Sequence, residues 1–142
     1  MESLHFLLMK SHTLLQKKIS AEAAKIGLSP GQPKILDYLY SHEGSDQKTI
    51  ASYCEIEQAT CGSLLLRMEQ ADLIVRRQAA GNRRSLYVYL SEKGKLAADR
   101  MQEIFRDTER EALSHLDEES TEQLKQSLLA LCRHMKGEDK DE

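Results

Sequence analysis

Four arginines bracket a short polar stretch, Arg76-Arg77 before it and Arg83-Arg84 after it, with Gly81-Asn82 between. A guanidinium carries a permanent charge and a planar fork of donors that suits phosphate oxygens and guanine edges. Upstream, Gln58, Thr60, Gly62, Ser63 and Arg67 stand apart from an apolar set at helical spacing. Hydroxyls and amides of this kind bond phosphates or base edges, and a glycine lets backbone come close to a ligand. The chemistry these residues suggest is recognition of double-stranded nucleic acid, without bond-making. There is no phosphate-cradling glycine loop, no Gly-x-Ser-x-Gly and no metal-spaced cluster, so neither an enzyme nor a cofactor is expected. The five histidines, at 5, 12, 42, 115 and 134, form no HxxxH or HExxH pair, and no metal is expected.

The elements that must position these side chains follow from periodicity and capping. A helix starts at Ser45 or Asp46, either a good N-cap, carries Ile50 and Ala51 inward and closes near Cys54. After Glu55-Ile56-Glu57, a second helix runs from about Gln58 to Ala71. Its Cys61, Leu64, Leu65 and Met68 lie at i, i+3, i+4 and i+7, one helical face. Asp72 ends it, because Asp tolerates the left-handed conformation of a helix terminus. Leu73–Arg77 is a strand, Gln78–Arg84 a tip, and Ser85–Leu90 a return strand with Leu86, Val88 and Leu90 on one face. Helix, turn, helix and basic hairpin is the layout of a winged helix-turn-helix, which lays its second helix in a major groove. Arg83 and Arg84 at the hairpin tip suit the negative potential of a narrow minor groove.

At these residues the chain resembles the MarR family of bacterial transcription regulators. The likeness is carried by IASYCEIEQATCGSLLLRMEQADLIVRR and by GNRRSLYVYLSEKG. The family's wing reads Asp-x-Arg, a strand, then Leu-Thr-x-x-Gly. Here Asn82 stands for the Asp, Arg84 matches the Arg, and Leu90-Ser91-Glu92-Lys93-Gly94 matches the strand exit. Gly27–Gln32 also resembles the family's approach to its second helix. The resemblance implies a homodimer on a pseudo-palindromic DNA operator, a repressor tuned by a small-molecule effector. It also implies that the wing acid forms an ion pair, a charge that Asn82 does not bring. Some family members sense peroxide through a first-helix cysteine, which this chain lacks, and some bind zinc. A metal- or redox-responsive member is therefore one alternative, and a winged module that binds protein is another.

Composition fits one domain of 142 residues, 28–91 forming the DNA-reading lobe. Net charge is −3, unevenly spread: five Lys/Arg face three Asp/Glu over 57–91, while 92–142 holds nine against fourteen. The basic excess thus falls where phosphates would be met. No apolar run approaches a membrane span and no signal peptide is evident. Three cysteines without CxxC fit a reducing cytoplasm, and Cys54 and Cys61 read as small core residues.

Two flanking segments, 3–26 and 92–136, are expected to dimerise the protein. The first is one helix with a broad apolar stripe, stopped by Gly27, before Ser29–Gln32 opens the next as a capping box with Pro30 first. The second holds a helix from Glu92 to about Leu116, with Leu96 and Met101 among its apolar members. A last helix carries a Leu124/Leu128/Leu131/Met135 seam. Residues 137–142 read as a loose tail. An effector cleft between the first, second and fifth helices is expected to be lined by His12, Gln16, Tyr38, His42 and Met101. The plain alternative is that Tyr38 and Met101 are core while His12 and His42 are solvated.

Overall fold

The computed structural model describes residues 1–137, and for 82–84 the backbone alone. The expected tail, residues 138–142, and the side chains of Asn82, Arg83 and Arg84 lie outside the described residues. The elements run α1 (Leu4–Lys25), α2 (Gln32–Ser41), β1 (Ser45–Asp46), α3 (Gln47–Tyr53), α4 (Gln58–Gln70), β2 (Ile74–Ala79), β3 (Asn82–Leu90), α5 (Glu92–Ala112) and α6 (Glu118–Lys136). This is a winged helix-turn-helix, mostly helical, with an antiparallel sheet in the order β1-β3-β2. The described residues form two compact units, which part between Thr108 and Glu109.

Local chemistry sets the helix ends. Asp46 caps α3, accepting from the Thr49 N–H at 2.8 Å, which decides between the two expected caps. The α1, α3 and α4 helices each close on a left-handed residue followed by a return bond to the last turn. These residues are Gly27, Glu55 and Asp72, with Leu28 N donating to Ala23 O, Ile56 N to Ala51 O and Leu73 N to Met68 O. The start of α2 differs from the capping-box expectation. Pro30 lies before the helix, Gly31 is the cap at φ 91°, and Gln32 is the first helical residue. Gln32 still reaches back, its Oε1 accepting from Ser29 N at 3.0 Å, so half of the expected box forms.

The sequence reading missed β1. Ser45 pairs with Val88 and Asp46 with Tyr87, and Gly44 N donates to Val88 O. Glu43 covers the next backbone group, its carboxylate accepting from Leu90 N at 2.7 Å. Hairpin pairing runs further toward the tip than expected, to Ala79 opposite Asn82, with an irregularity at Gln78/Ala79 and Gly81 at φ 82°. Along β3, Val88 and Leu90 are buried as the alternation requires, while Leu86 near the tip is exposed.

The core of the first unit joins Ile35, Leu36 and Leu39 of α2 to Ile50, Leu65, Met68, Ile74 and Met101. Full burial of such side chains contributes about 1.5–3 kcal/mol each. Leu96, expected on the apolar face of α5, is 71% exposed; the buried positions are Gly94, Ala98, Met101, Ile104 and Thr108.

Candidate nucleic-acid interface

The reading helix is built from its back. Cys61, Leu64, Leu65 and Met68 bury one face of α4, which turns Gln58, Thr60, Ser63 and Arg67 outward. Ser63 Oγ donates to Ala59 O at 3.2 Å, leaving its lone pairs toward solvent. Gly62 is half-buried and has a structural task the sequence did not suggest. Gln47, the first residue of α3, donates through Nε2 to Gln58 O at 2.9 Å, and a Cβ on Gly62 would press on that nitrogen. The glycine therefore makes room for a brace that ties α3 to the start of α4. Leu66, exposed at 49%, was also not singled out by sequence. It follows Ser63 by one turn and supplies an apolar tip of the kind that meets thymine methyls.

Beside α4 the sheet presents its cations. The Arg77 guanidinium lies 5.1 Å from the centre of the Tyr89 ring, a cation–π contact that holds it at the root of the wing. Arg76 is mostly covered and sits 3.5 Å from Glu69 Oε2, its Nε making no hydrogen bond. Arg76, Lys48, Gln47 and Ser85 line a groove of about 340 Å³ between the start of α3, α4 and the hairpin. The hydrogen bonds from Thr49 hold the Asp46 carboxyl below its ordinary range, so it stays ionised at this surface.

Cys54 and Cys61 are buried, whereas Cys132 on α6 is exposed. Burial pushes the Cys54 thiol up to about 11, with Cys61 raised in the same way. Both are protonated at neutral pH, and Cys54 donates weakly to Lys34 O. Among the described residues no group of three His, Cys, Asp or Glu is placed to hold a metal ion.

A second concavity, about 370 Å³, lies in the same unit between α1, the start of α2, the α3–α4 turn and α5. His12 and Gln16 line it, with Lys34, Cys54, Glu55 and Phe105. The other three expected lining residues are elsewhere. Met101 and Tyr38 are core, at 0% and 6% exposure. The Tyr38 ring stacks on His42 at 4.6 Å and its hydroxyl accepts from Ser45 Oγ at 3.1 Å. His42 closes α2, its Nδ1 3.1 Å from Tyr38 O. Helical spacing put Tyr38 and Met101 on inward faces correctly, but it could not say whether those faces meet a cavity or packed side chains.

Comparison with known proteins follows the same outline. The profile of the MarR family matches residues 26–85. An uncharacterized HTH-type transcriptional regulator of Bacillus subtilis, YwoH, is 30% identical over 122 residues, covering 75% of this chain and 85% of that protein. The Staphylococcus aureus MepR–DNA complex superposes with a TM-score of 0.86 at 25% identity, covering 94% of this chain and 99% of that one. A MarR-family regulator from Listeria monocytogenes, bound to 26-mer DNA, shares the fold with a TM-score of 0.89 at 18% identity over 95% and 90% of the two chains. These relatives are transcription regulators, and none is described as an enzyme.

Proposed function

Because the chain belongs to the MarR family of transcription regulators, we propose that it binds a pseudo-palindromic operator as a homodimer and represses transcription until a small effector releases it. The observation that carries this reading is α4 itself: one face locked into the core, the other offering Gln58, Thr60, Ser63 and Arg67 beside the cationic root of the hairpin. Arg67 is the side chain able to fork onto a guanine, and Thr60 and Ser63 suit phosphate or base-edge contacts. From sequence, Arg83 and Arg84 add the reach of the wing into a minor groove. Surplus apolar surface supports two-fold pairing. Leu4, Leu7 and Leu8 on α1 and Leu124, Leu128 and Leu129 on α6 are all exposed in the single chain. Isologous pairing would bury such faces.

The effector reading rests on the cleft at His12, Gln16 and Lys34. Its Ile19 and Phe105 walls are apolar and its other groups polar, a mix suited to a small amphipathic ligand. A ligand there shifts DNA affinity only through unequal contacts with two arrangements of the protein. A protein-binding winged module would not need the Arg83-Arg84 tip. Selection from a pool of random duplexes tests the reading. The expected winner is an inverted repeat whose half-site centres lie about one or two helical turns apart, roughly 10–10.5 bp per turn. A pool that shows no enrichment over many rounds overturns it.

A further inference from the structure

The two helices of the helix-turn-helix both end on a left-handed acidic residue, Glu55 at φ 55° and Asp72 at φ 60°. Beyond Asp72, the end of α4 is held from outside. The carbonyls of the C-cap Ala71 and of Asp72 and Leu73 just beyond it accept no bond from α4 itself. The first turn of α5 takes all three. Lys93 Nζ donates to Ala71 O at 2.9 Å, Ser91 Oγ to Asp72 O at 2.6 Å, and Ser91 N to Leu73 O at 3.0 Å. Ser91 Oγ also accepts from Gly94 N at 3.0 Å, so one hydroxyl caps α5 and grips the end of α4 together. Gly94 is buried against the Leu73 carbonyl, where a Cβ would overlap the oxygen. Lys93 adds a cation at the negative end of the α4 dipole.

We propose that Ser91, Lys93 and Gly94 are positioning residues for the reading helix, pinning its C-terminal end to α5 so that the two move as one body. This inference rests on the reading of α4 as the DNA-reading helix. The other end of α4 is braced from α3, through Gln47 on Gln58 O. A helix pinned at its far end presents Arg67, three residues before the last helical position, at a fixed angle and depth. Base-edge contacts need that angle to discriminate sequences, whereas phosphate contacts carry no sequence information directly and their charge attraction survives a small swing. Loosening the pin therefore lowers discrimination more than overall attraction.

The test uses the full chain with Ser91→Ala, Lys93→Ala, Lys93→Arg and Gly94→Ala. The probes are the duplex selected from the random pool and a scrambled duplex of equal length. Lys93→Ala, an exposed change, is expected to keep its thermal midpoint. Its ratio of selected to scrambled affinity should fall roughly 5–150-fold, the worth of one base-edge contact, with an unchanged salt slope. Lys93→Arg should recover most of the ratio, and Ser91→Ala should follow Lys93→Ala. An unchanged ratio in both Ser91→Ala and Lys93→Ala overturns the proposal. So does a salt slope that drops by about one in Lys93→Ala with the ratio intact, which would make Lys93 a phosphate contact. Parallel losses on both duplexes with a lower midpoint would show a purely structural role and also overturn it. Without DNA, amide exchange over 68–73 should quicken in Lys93→Ala and Ser91→Ala relative to the rest of the domain. Unchanged protection there rejects the pin even if Gly94→Ala fails to fold. A wild type with no duplex preference rejects the DNA reading, while amide exchange still decides the pin.

Discussion

The α4 and α6 helices carry apolar residues at similar spacing, yet they meet different fates. Four side chains of α4 are buried, and its Cys61, Leu65 and Met68 are fully covered by the chain's own core. Among its described residues α6 has no buried side chain, and Leu124, Leu128, Leu129 and Met135 are all exposed. Periodicity dictates that a helix has an apolar face, but not what covers it. One helix is stabilised within the chain; the other, under the proposed function, is covered by a second copy. The first kind of contact is independent of protein concentration, and the second is not.

The sharpest way to break this contrast is in the core. Leu65→Ala should cost about 2–5 kcal/mol of unfolding free energy, the same loss relative to wild type at every protein concentration. Chemical denaturation at two concentrations reads both numbers. On α6, Leu128→Asp should remove the concentration dependence and shift sedimentation from dimer to monomer. If Leu128 packs in a dimer seam, its loss weakens association by about 1.5–3 kcal/mol per subunit. A variant that stays fully dimeric would assign dimerisation to other surfaces.

A smaller effect lies at the start of α3. Asp46→Ala should cost roughly 0.5–2 kcal/mol at neutral pH, the ordinary worth of an N-cap. The folded pKa of Asp46 is lowered, first by the hydrogen bond from the Thr49 side chain and then by that from its backbone. Its contribution is therefore present above the unfolded carboxylate range and lost as pH falls through the folded value. The gap between wild type and Asp46→Ala should close below about pH 4. Asp46→Asn should keep much of the cap while flattening that dependence. The smallest effect is a gain. Glu55 holds a left-handed conformation at a cost of about 1–2 kcal/mol, part of which glycine's greater unfolded freedom would offset. Glu55→Gly should therefore raise stability by roughly 0.5–1 kcal/mol in a thermal scan. A loss would mean that the Glu55 side chain, at the lip of the cleft, contributes more than its strain.

What was legible in the sequence is what depends on near neighbours. A cap at Ser45 or Asp46, the buried face of α4, the left-handed Asp72 and the Gly27 stop are decided within one or two turns, and each was readable. The departures come from distant partners. Gly31, rather than Ser29, caps α2. It lies under Leu64 with no room to spare, a contact between residues far apart in sequence. The two-residue β1 exists because β3 lies beside it. Leu96 carries an apolar side chain at helical spacing yet faces outward, since spacing sets a face without setting its width. Of the residues expected at a cleft, His12 and Gln16 line the concavity on α1, while Tyr38 and Met101 fill the core, because nothing local separates a cavity wall from a packed face.

The central claim, that the outward face of α4 reads base pairs while cations around it supply charge, has one direct measurement. It is the affinity of wild type, Arg67→Ala and Arg84→Ala for the selected duplex and its single-base variants, followed from 50 to 200 mM salt. If the dimer makes about 6–10 phosphate contacts, wild type should lose roughly 10³–10⁵ in affinity over that range. Arg67→Ala should keep the slope and lose about 1–3 kcal/mol of discrimination at one base pair per half-site, while Arg84→Ala should weaken all duplexes alike. An Arg67→Ala protein with undiminished discrimination at every position would contradict the account.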